Sequence, residues 1–263
     1  MQKYLDRLLP LWAVCAFPEG GSLLRSSKAM IEHPRSIIVA AFPYLLPETC
    51  YAERNIARFA VVQDYHKICG ARLEQACELL RAQYPGEEFA HYCDHSPLPE
   101  VALAEQAGLG WRGRHNLLIT KKYGSWIVLG EIVTTATLPG VSNCQLSTVN
   151  CQLCPAPCIK ACPTGALSDT GYDKTKCLSY LSQRKGALAP AVALHLRRTH
   201  SAWGCDLCQE ACLRNRNVTI DPLPEFLEGA IPTLTPQTPL EDRAYVWRGR
   251  EALNRNIFNL NEK

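Results

Sequence analysis

Residues 151–163 read CQLCPAPCIKACP, four cysteines separated by two, three and three residues, the last followed by proline. They open a dense block: of 14 cysteines in the 263-residue chain, nine lie between positions 144 and 212. Cys15, Cys50, Cys69, Cys77 and Cys93 are scattered and read as small buried hydrophobes. The start, MQKYLDRLLPLWAVCAFPEG, is interrupted by charges and prolines and lacks a small-residue cleavage site, so it reads as a helix running into a strand rather than a leader. The expected location is the cytoplasm, where disulfides are rare and clustered cysteines point to metal or redox chemistry.

Three pieces carry that chemistry: Cys151-x2-Cys154-x3-Cys158-x3-Cys162-Pro163, then Cys177, then Cys205-x2-Cys208-x3-Cys212. Eight thiolates meet the need of two four-cysteine [4Fe–4S] cubanes. In two-cluster ferredoxins the run is C-x2-C-x2-C-x3-C-P, and its fourth cysteine ligates the other cluster. That logic groups Cys151, Cys154 and Cys158 with Cys212, and Cys162 with Cys177, Cys205 and Cys208. The run here is one residue longer, with Pro155 and Pro157 shaping the loop, and Cys144 stands as a spare ligand. Structural zinc also favours C-x2-C pairs, but a zinc ribbon needs two such pairs and no more. Eight cysteines and CPTGAL (162–167) favour iron–sulfur.

The remainder must supply an apolar core, and 47% hydrophobic residues suffice for one or two domains. No apolar run approaches the 18 or so residues of a membrane span. A net charge of +3 neither marks nor excludes a nucleic-acid binder. SIIVAAFPY (36–44) reads as a buried strand. Apolar residues at three- and four-residue steps predict a helix over 52–83, ended by Tyr84-Pro85-Gly86. A shorter helix is expected over 98–107 with Gly108 as its left-handed cap. NLLIT (116–120), KKYG and SWIVLGEIVTT (125–135) read as a β-hairpin. A final helix is expected from Glu241 to about Leu260, carrying Arg248 and Arg250. The expected division is 1–140, an α/β domain; 141–217, the cysteine domain; and 218–263, a helical segment packing on the core.

HYCDHSPLPEVALAEQAGLGWRGRH (91–115) places Asp94 before a proline-punctuated turn. From the residues alone, the plain reading is a helix cap. His91 and His95 are four apart, but nothing else in the sequence supports a metal pair.

Six stretches, RNIARFAVVQDYHK (54–67), CDHSPLPEVALAEQAGLGWRGRHNLLI (93–119), GSWIVLGEI (124–132), CIKACPTGAL (158–167), KCLSYL (176–181) and GCDLCQEAC (204–212), together resemble the epoxyqueuosine reductase family, in its order and approximate spacing. WRGREALNRN (247–256) resembles the segment ending that family's catalytic core. The resemblance implies an α+β or α/β fold: a sheet-and-helix cobalamin-binding domain followed by a ferredoxin-like double-cluster domain. It further implies a cytoplasmic oxidoreductase that converts epoxyqueuosine to queuosine in the tRNA wobble position. Electrons would pass from two [4Fe–4S] clusters to cobalamin, fed by an external low-potential donor. The family's proton-donating aspartate falls on Asp94, where an apolar pocket would favour the protonated acid. By similarity, cobalamin contacts fall on Arg58, Tyr65, Asp94, Leu118, Leu129, Ser201, Ala202, Trp203 and Gly204.

The resemblance stops where the family's C-terminal helical-repeat extension would begin, which implies a short form and weakens the expectation of tRNA binding. Leu213 stands where the family has proline, and with the lengthened cysteine run this suggests a divergent branch. Arg112, Arg114, Lys121, Lys122, Arg184, Lys185, Arg197 and Arg198 are the candidate phosphate contacts for an anticodon stem-loop. The competing readings are a paralogous reductase of a small molecule, with chemistry like reductive dehalogenation, and a non-catalytic electron-transfer or cobalamin-handling protein.

Overall fold

The computed structural model describes residues 2–18, 30–94, 96–144 and 151–262. Its helices are α1 (Gln2–Leu8), α2 (Arg58–Val61), α3 (Tyr65–Gln83), α4 (Glu100–Gln106), α5 (Pro157–Ala161), α6 (Leu178–Ser182), α7 (Pro190–Thr199), α8 (Leu207–Glu210), α9 (Pro224–Glu228) and α10 (Gly249–Asn261). Its strands are β1 (Leu11–Ala16), β2 (Ser36–Pro43), β3 (Phe89–Cys93), β4 (Trp111–Arg112), β5 (Leu118–Ile119), β6 (Ile127–Thr134), β7 (Leu167–Ser168) and β8 (Gly171–Tyr172). The chain forms two compact units: Met1–Pro43, His66–Arg112 and Leu117–Asn150 make the first, and Tyr44–Tyr65, Gly113–Asn116 and Cys151–Lys263 the second. The segment after 217, set apart by composition, thus falls with the cysteine block, as do residues 44–65 and 113–116.

In the first unit, four strands run antiparallel in the order β1-β2-β6-β3. All eight residues of β2 are buried. Ile37, Ile38, Val39 and Phe42 have no exposed surface, each contributing roughly 1.5–3 kcal/mol by burial. α3 turns Cys69, Leu73, Ala76, Cys77 and Leu80 inward. It packs closely on β6, because a Cβ at Gly130 would stand 2.7 Å from Leu73 Cδ1. Gly108, at φ +78, closes α4 as expected. Gly108 N–H bonds Glu105 O and Leu109 N–H bonds Ala104 O, both at 2.9 Å, a Schellman ending.

Three expectations are corrected. The helix predicted over 52–83 begins only at Tyr65. Before it, the N–H groups of Asn55, Ala57 and Asp64 bond Pro232 O, Trp203 O and Asp242 O at 3.2, 2.7 and 2.8 Å, so tertiary partners replace helical ones. The hairpin over 116–135 does not pair its two arms: β5 pairs with β4, while β6 lies between β2 and β3. Gly110 makes the β4–β5 approach possible, since a Cβ there would stand 2.2 Å from Ile119 O. The last helix starts not at Glu241 but at Gly249, whose own φ of +72 breaks it from the turn before.

In the second unit α10 is fastened by its polar side chains. Asn256 Nδ2 donates to Ser182 O at 2.8 Å and Ala202 O at 2.7 Å, and Arg255 Nη1 donates to Arg184 O at 2.7 Å. Asn55 spans to the segment before it, donating to Leu234 O at 2.9 Å and accepting from Leu234 N–H at 2.7 Å. Among the described residues, no helix is long and apolar enough to cross a membrane.

Candidate metal centres and the carboxylate at the sheet end

Cys151, Cys154, Cys158 and Cys212 line one recess of the second unit. α5 carries Cys158, and Cys212 follows α8. The extra residue of the first cysteine run is absorbed at Ala156, which adopts φ 52 between Pro155 and Pro157. Burial pushes the Cys158 thiol up, and Cys212, Cys151 and Cys154 add to the shift in that order. Each of these sulfurs is therefore an electrostatic neighbour of Cys158.

Cys162, Cys177, Cys205 and Cys208 form a second group. Burial pushes Cys205 up to about 12 and raises Cys208 further, with Cys177 and Cys162 among the neighbours of both. Cys162 goes the other way. Burial raises it, but backbone N–H groups of Leu167, Thr164 and Ala166, with the Thr164 hydroxyl at 3.7 Å, stabilise its thiolate and leave it below the ordinary thiol value. Tyr172 hydrogen-bonds Cys177.

The spacing of the sulfurs discriminates between metals. Zinc–thiolate bonds of about 2.3 Å put the sulfurs of a zinc tetrahedron about 3.8 Å apart. Among the described residues, the one group of three or more metal-ligating side chains within 4.8 Å of one another is Glu74, Cys77 and His91. No three of the eight block sulfurs approach that closely. Four thiolates in each set suit a cluster that meets each thiolate at a different corner.

Supporting residues invisible to motif reading surround these groups. Asp206 Oδ2 accepts from Arg54 Nη1 and from Arg58 N–H, both at 2.7 Å. Burial pushes Asp206 up to about 6 while Arg54 opposes the shift. Two donors on one oxygen keep it ionised at neutral pH. Arg58, expected at the corrin, has its guanidinium against Glu210 and Glu48 and 4.6 Å from the Tyr51 ring centre, so it braces the cysteine unit. Ala202 and Trp203 are buried, with Ala202 N–H on Asn55 O and Trp203 O accepting from Ala57 N–H. Ser201 Oγ donates to Gly204 O at 2.9 Å, and Gly204, at φ +75, lies where a Cβ would stand 2.5 Å from Ala57 Cβ. Tyr65 meets Phe59 edge-on at 6.4 Å.

In the first unit Leu118 is buried, and Cys144 Sγ donates to Gly108 O at 3.4 Å. Asp94 and Leu129 come together at one end of the sheet. Cys93 pairs with Gly130, so Asp94 is the first residue past the β3 pairing and Leu129 the first residue of β6 without a β3 partner. Ile127, Val128 and Leu129 are each partly exposed although β6 is a central strand. Asp94 adopts φ 53, its side chain is 47% exposed, and its Oδ2 lies 3.3 Å from His66 Nε2. It does not cap α4, which begins at Glu100 behind Pro99 with no side-chain cap bond. The capping reading is thus removed. His91 contacts Glu74, and His95 lies outside the described residues.

Of the basic residues, Arg112 faces Glu105, Arg114 bonds Asp169 at 3.0 Å, Arg197 bonds Asn259 and Glu262, and Lys122 lies over Tyr123.

Sheet-and-helix unit and paired four-cysteine groups together define a double-cluster iron–sulfur protein, and residues 150–215 match the family described as "4Fe-4S double cluster binding domain". Residues 25–95 match "Epoxyqueuosine reductase QueG, DUF1730". An epoxyqueuosine reductase of Gloeobacter violaceus is 37% identical over 199 residues, covering 72% of this chain and 59% of the relative. One of Staphylococcus aureus is 30% identical over 262 residues, covering 92% and 67%. A crystal structure of epoxyqueuosine reductase with an epoxyqueuosine-modified tRNA-Tyr stem loop superimposes with a TM-score of 0.82 at 21% identity, covering 98% of this chain and 79% of that one, which establishes the fold. The chain belongs to the epoxyqueuosine reductase family. It spans 59–65% of the length of the first curated relatives it matches.

Proposed function

We propose that this chain is an oxidoreductase that reduces epoxyqueuosine to queuosine in tRNA, using two [4Fe–4S] clusters and cobalamin. The observation that carries the reading is the sorting of eight cysteines of the second unit into two groups of four, in a chain whose first unit carries Asp94 at the end of its sheet. Cys151, Cys154, Cys158 and Cys212 hold one cluster, and Cys162, Cys177, Cys205 and Cys208 the other. The residues also suit a corrin: the half-exposed apolar start of β6 offers a surface for a flat, largely apolar ring, with the Asp94 carboxyl beside it. Of the expected contacts, Leu129, Tyr65 and Asp94 present accessible surface, whereas Leu118, Ala202 and Trp203 are buried in protein packing and Arg58 is held by carboxylates.

When bound, cobalamin supplies a strongly reducing cobalt centre and the clusters supply electrons one at a time. Asp94 holds the proton delivered to the epoxide oxygen on its way to water, with His66 fixing the carboxyl. Ligation to iron would keep the thiolates of the cysteine unit ionised, and backbone N–H donors already hold the Cys162 thiol below its ordinary value. An external low-potential protein supplies the electrons, and the anticodon stem-loop presents the base, which places the reaction in the cytoplasm.

Anaerobically purified protein tests the cofactor half: about eight irons per chain with a cubane spectrum is expected. Stoichiometric zinc with no iron sinks the reading. A small-molecule substrate gains ground if fully loaded protein leaves the stem-loop untouched.

A further inference from the structure

We propose that Glu74, Cys77 and His91 form a mononuclear metal site, separate from the cysteine block, that takes a divalent ion of the zinc type. One ligand atom from each lies within 4.8 Å of the other two. α3 supplies Glu74 and Cys77 three residues apart, which puts both on one helix face. β3 supplies His91, whose Nδ1 stands 3.0 Å from Glu74 Oε2.

The set has the features of a ligand shell. Thiolate, imidazole and carboxylate are the three side-chain types zinc prefers, and three protein ligands leave a fourth position for water. Glu74 is oriented from behind: Arg81 Nη1 takes its other oxygen, Oε1, at 2.8 Å, while Arg81 Nη2 is anchored on Phe89 O at 2.9 Å. An outer hydrogen bond of this kind fixes a ligating carboxylate. His91 Nε2 faces Gly70, where even an added Cβ would stay 4.0 Å away, so the ring has room to settle on the ion. An entry path exists too, since the Glu74 and His91 side chains are 42% and 30% exposed while Cys77 is fully buried behind them. Binding requires the Cys77 proton to leave to solvent, and the ion takes its place. Without an ion, the same residues make an ordinary surface ion pair over a buried thiol, which gives Cys77 no partner chemistry.

The test uses protein whose clusters have been reconstituted, so that the block cysteines are occupied by iron. Zinc is added and then dialysed against a weak chelator. About one zinc per chain should remain at unchanged iron content, and its X-ray absorption should show a single sulfur at about 2.3 Å with nitrogen and oxygen completing the shell. Glu74→Gln and His91→Gln, both at partly exposed positions, should weaken retention roughly tenfold or more, with iron content and thermal midpoint kept. Retained zinc with an all-sulfur shell, no retained zinc, or equal retention by both variants overturns the site.

Discussion

His66 Nε2 stands 3.3 Å from Asp94 Oδ2, so the carboxyl just past the end of β3 is held by an imidazole from the first turn of α3. Asp94 sits in a left-handed conformation that L-residues seldom adopt, beside the start of β6, which pairs with β2 but has no β3 partner there. On the proposed function this carboxyl is the proton donor to the epoxide oxygen. Asp94→Ala should therefore lower turnover at least about 100-fold, the smaller end of general-acid effects. Iron content and thermal midpoint should be unchanged. Turnover within threefold of the parent would remove Asp94 from the reaction.

The two cysteine groups are separable by mutation. Cys212→Ala strips a ligand from the set with Cys151, Cys154 and Cys158, and Cys177→Ala strips one from the other set. Each should lower iron from about eight to about four per chain, with the surviving cluster visible by electron paramagnetic resonance after reduction. Two variants that lose the same cluster would mean the ligands are grouped differently.

Asn256 ties α10 to two carbonyls and is fully buried. Asn256→Ala leaves Ser182 O and Ala202 O without that donor, which should cost about 2–4 kcal/mol. Chemical denaturation followed by circular dichroism reads the loss directly. A change under about 0.5 kcal/mol would mean water replaces the amide freely.

Burial lowers the His115 imidazole to about 4, against an ordinary value near 6.5. The folded protein thus binds fewer protons than the unfolded chain between those values. The contribution is full above pH 6.5 and is lost as pH falls toward 4, amounting to about 2 kcal/mol between pH 7.5 and 5. Compared with His115→Phe, the parent should lose about that much more stability over the range. Parallel pH profiles for the two proteins would contradict it.

How much of this was legible in the sequence depended on whether the determinant was local. The double-cluster domain could be read because thiolates have few structural uses at such spacing, and the inserted residue sits at a left-handed Ala156. β2 could be read because eight consecutive buried residues leave a continuous apolar run. The start of α3 could not, because the N–H groups of Asn55, Ala57 and Asp64 go to residues 146 to 178 positions away. The β6 pairing failed for a similar reason: a turn with good local chemistry lies between β5 and β6, yet each strand pairs elsewhere. Asp94 was ambiguous until α4 was seen to begin beyond Pro99. The Glu74–Cys77–His91 group escaped because it joins a helix to a strand, whereas His91 and His95 only look paired in a line of text.

The central claim is that one chain holds two clusters and cobalamin in order to reduce epoxyqueuosine in tRNA. The most direct measurement incubates the fully loaded protein with an epoxyqueuosine-containing tRNA anticodon stem-loop and a low-potential reductant, then weighs the nucleosides by mass spectrometry. Loss of one oxygen from the modified nucleoside, giving queuosine, dependent on cobalamin and abolished in Asp94→Ala, is the predicted result. Unchanged epoxyqueuosine with both clusters and cobalamin in place would contradict the account.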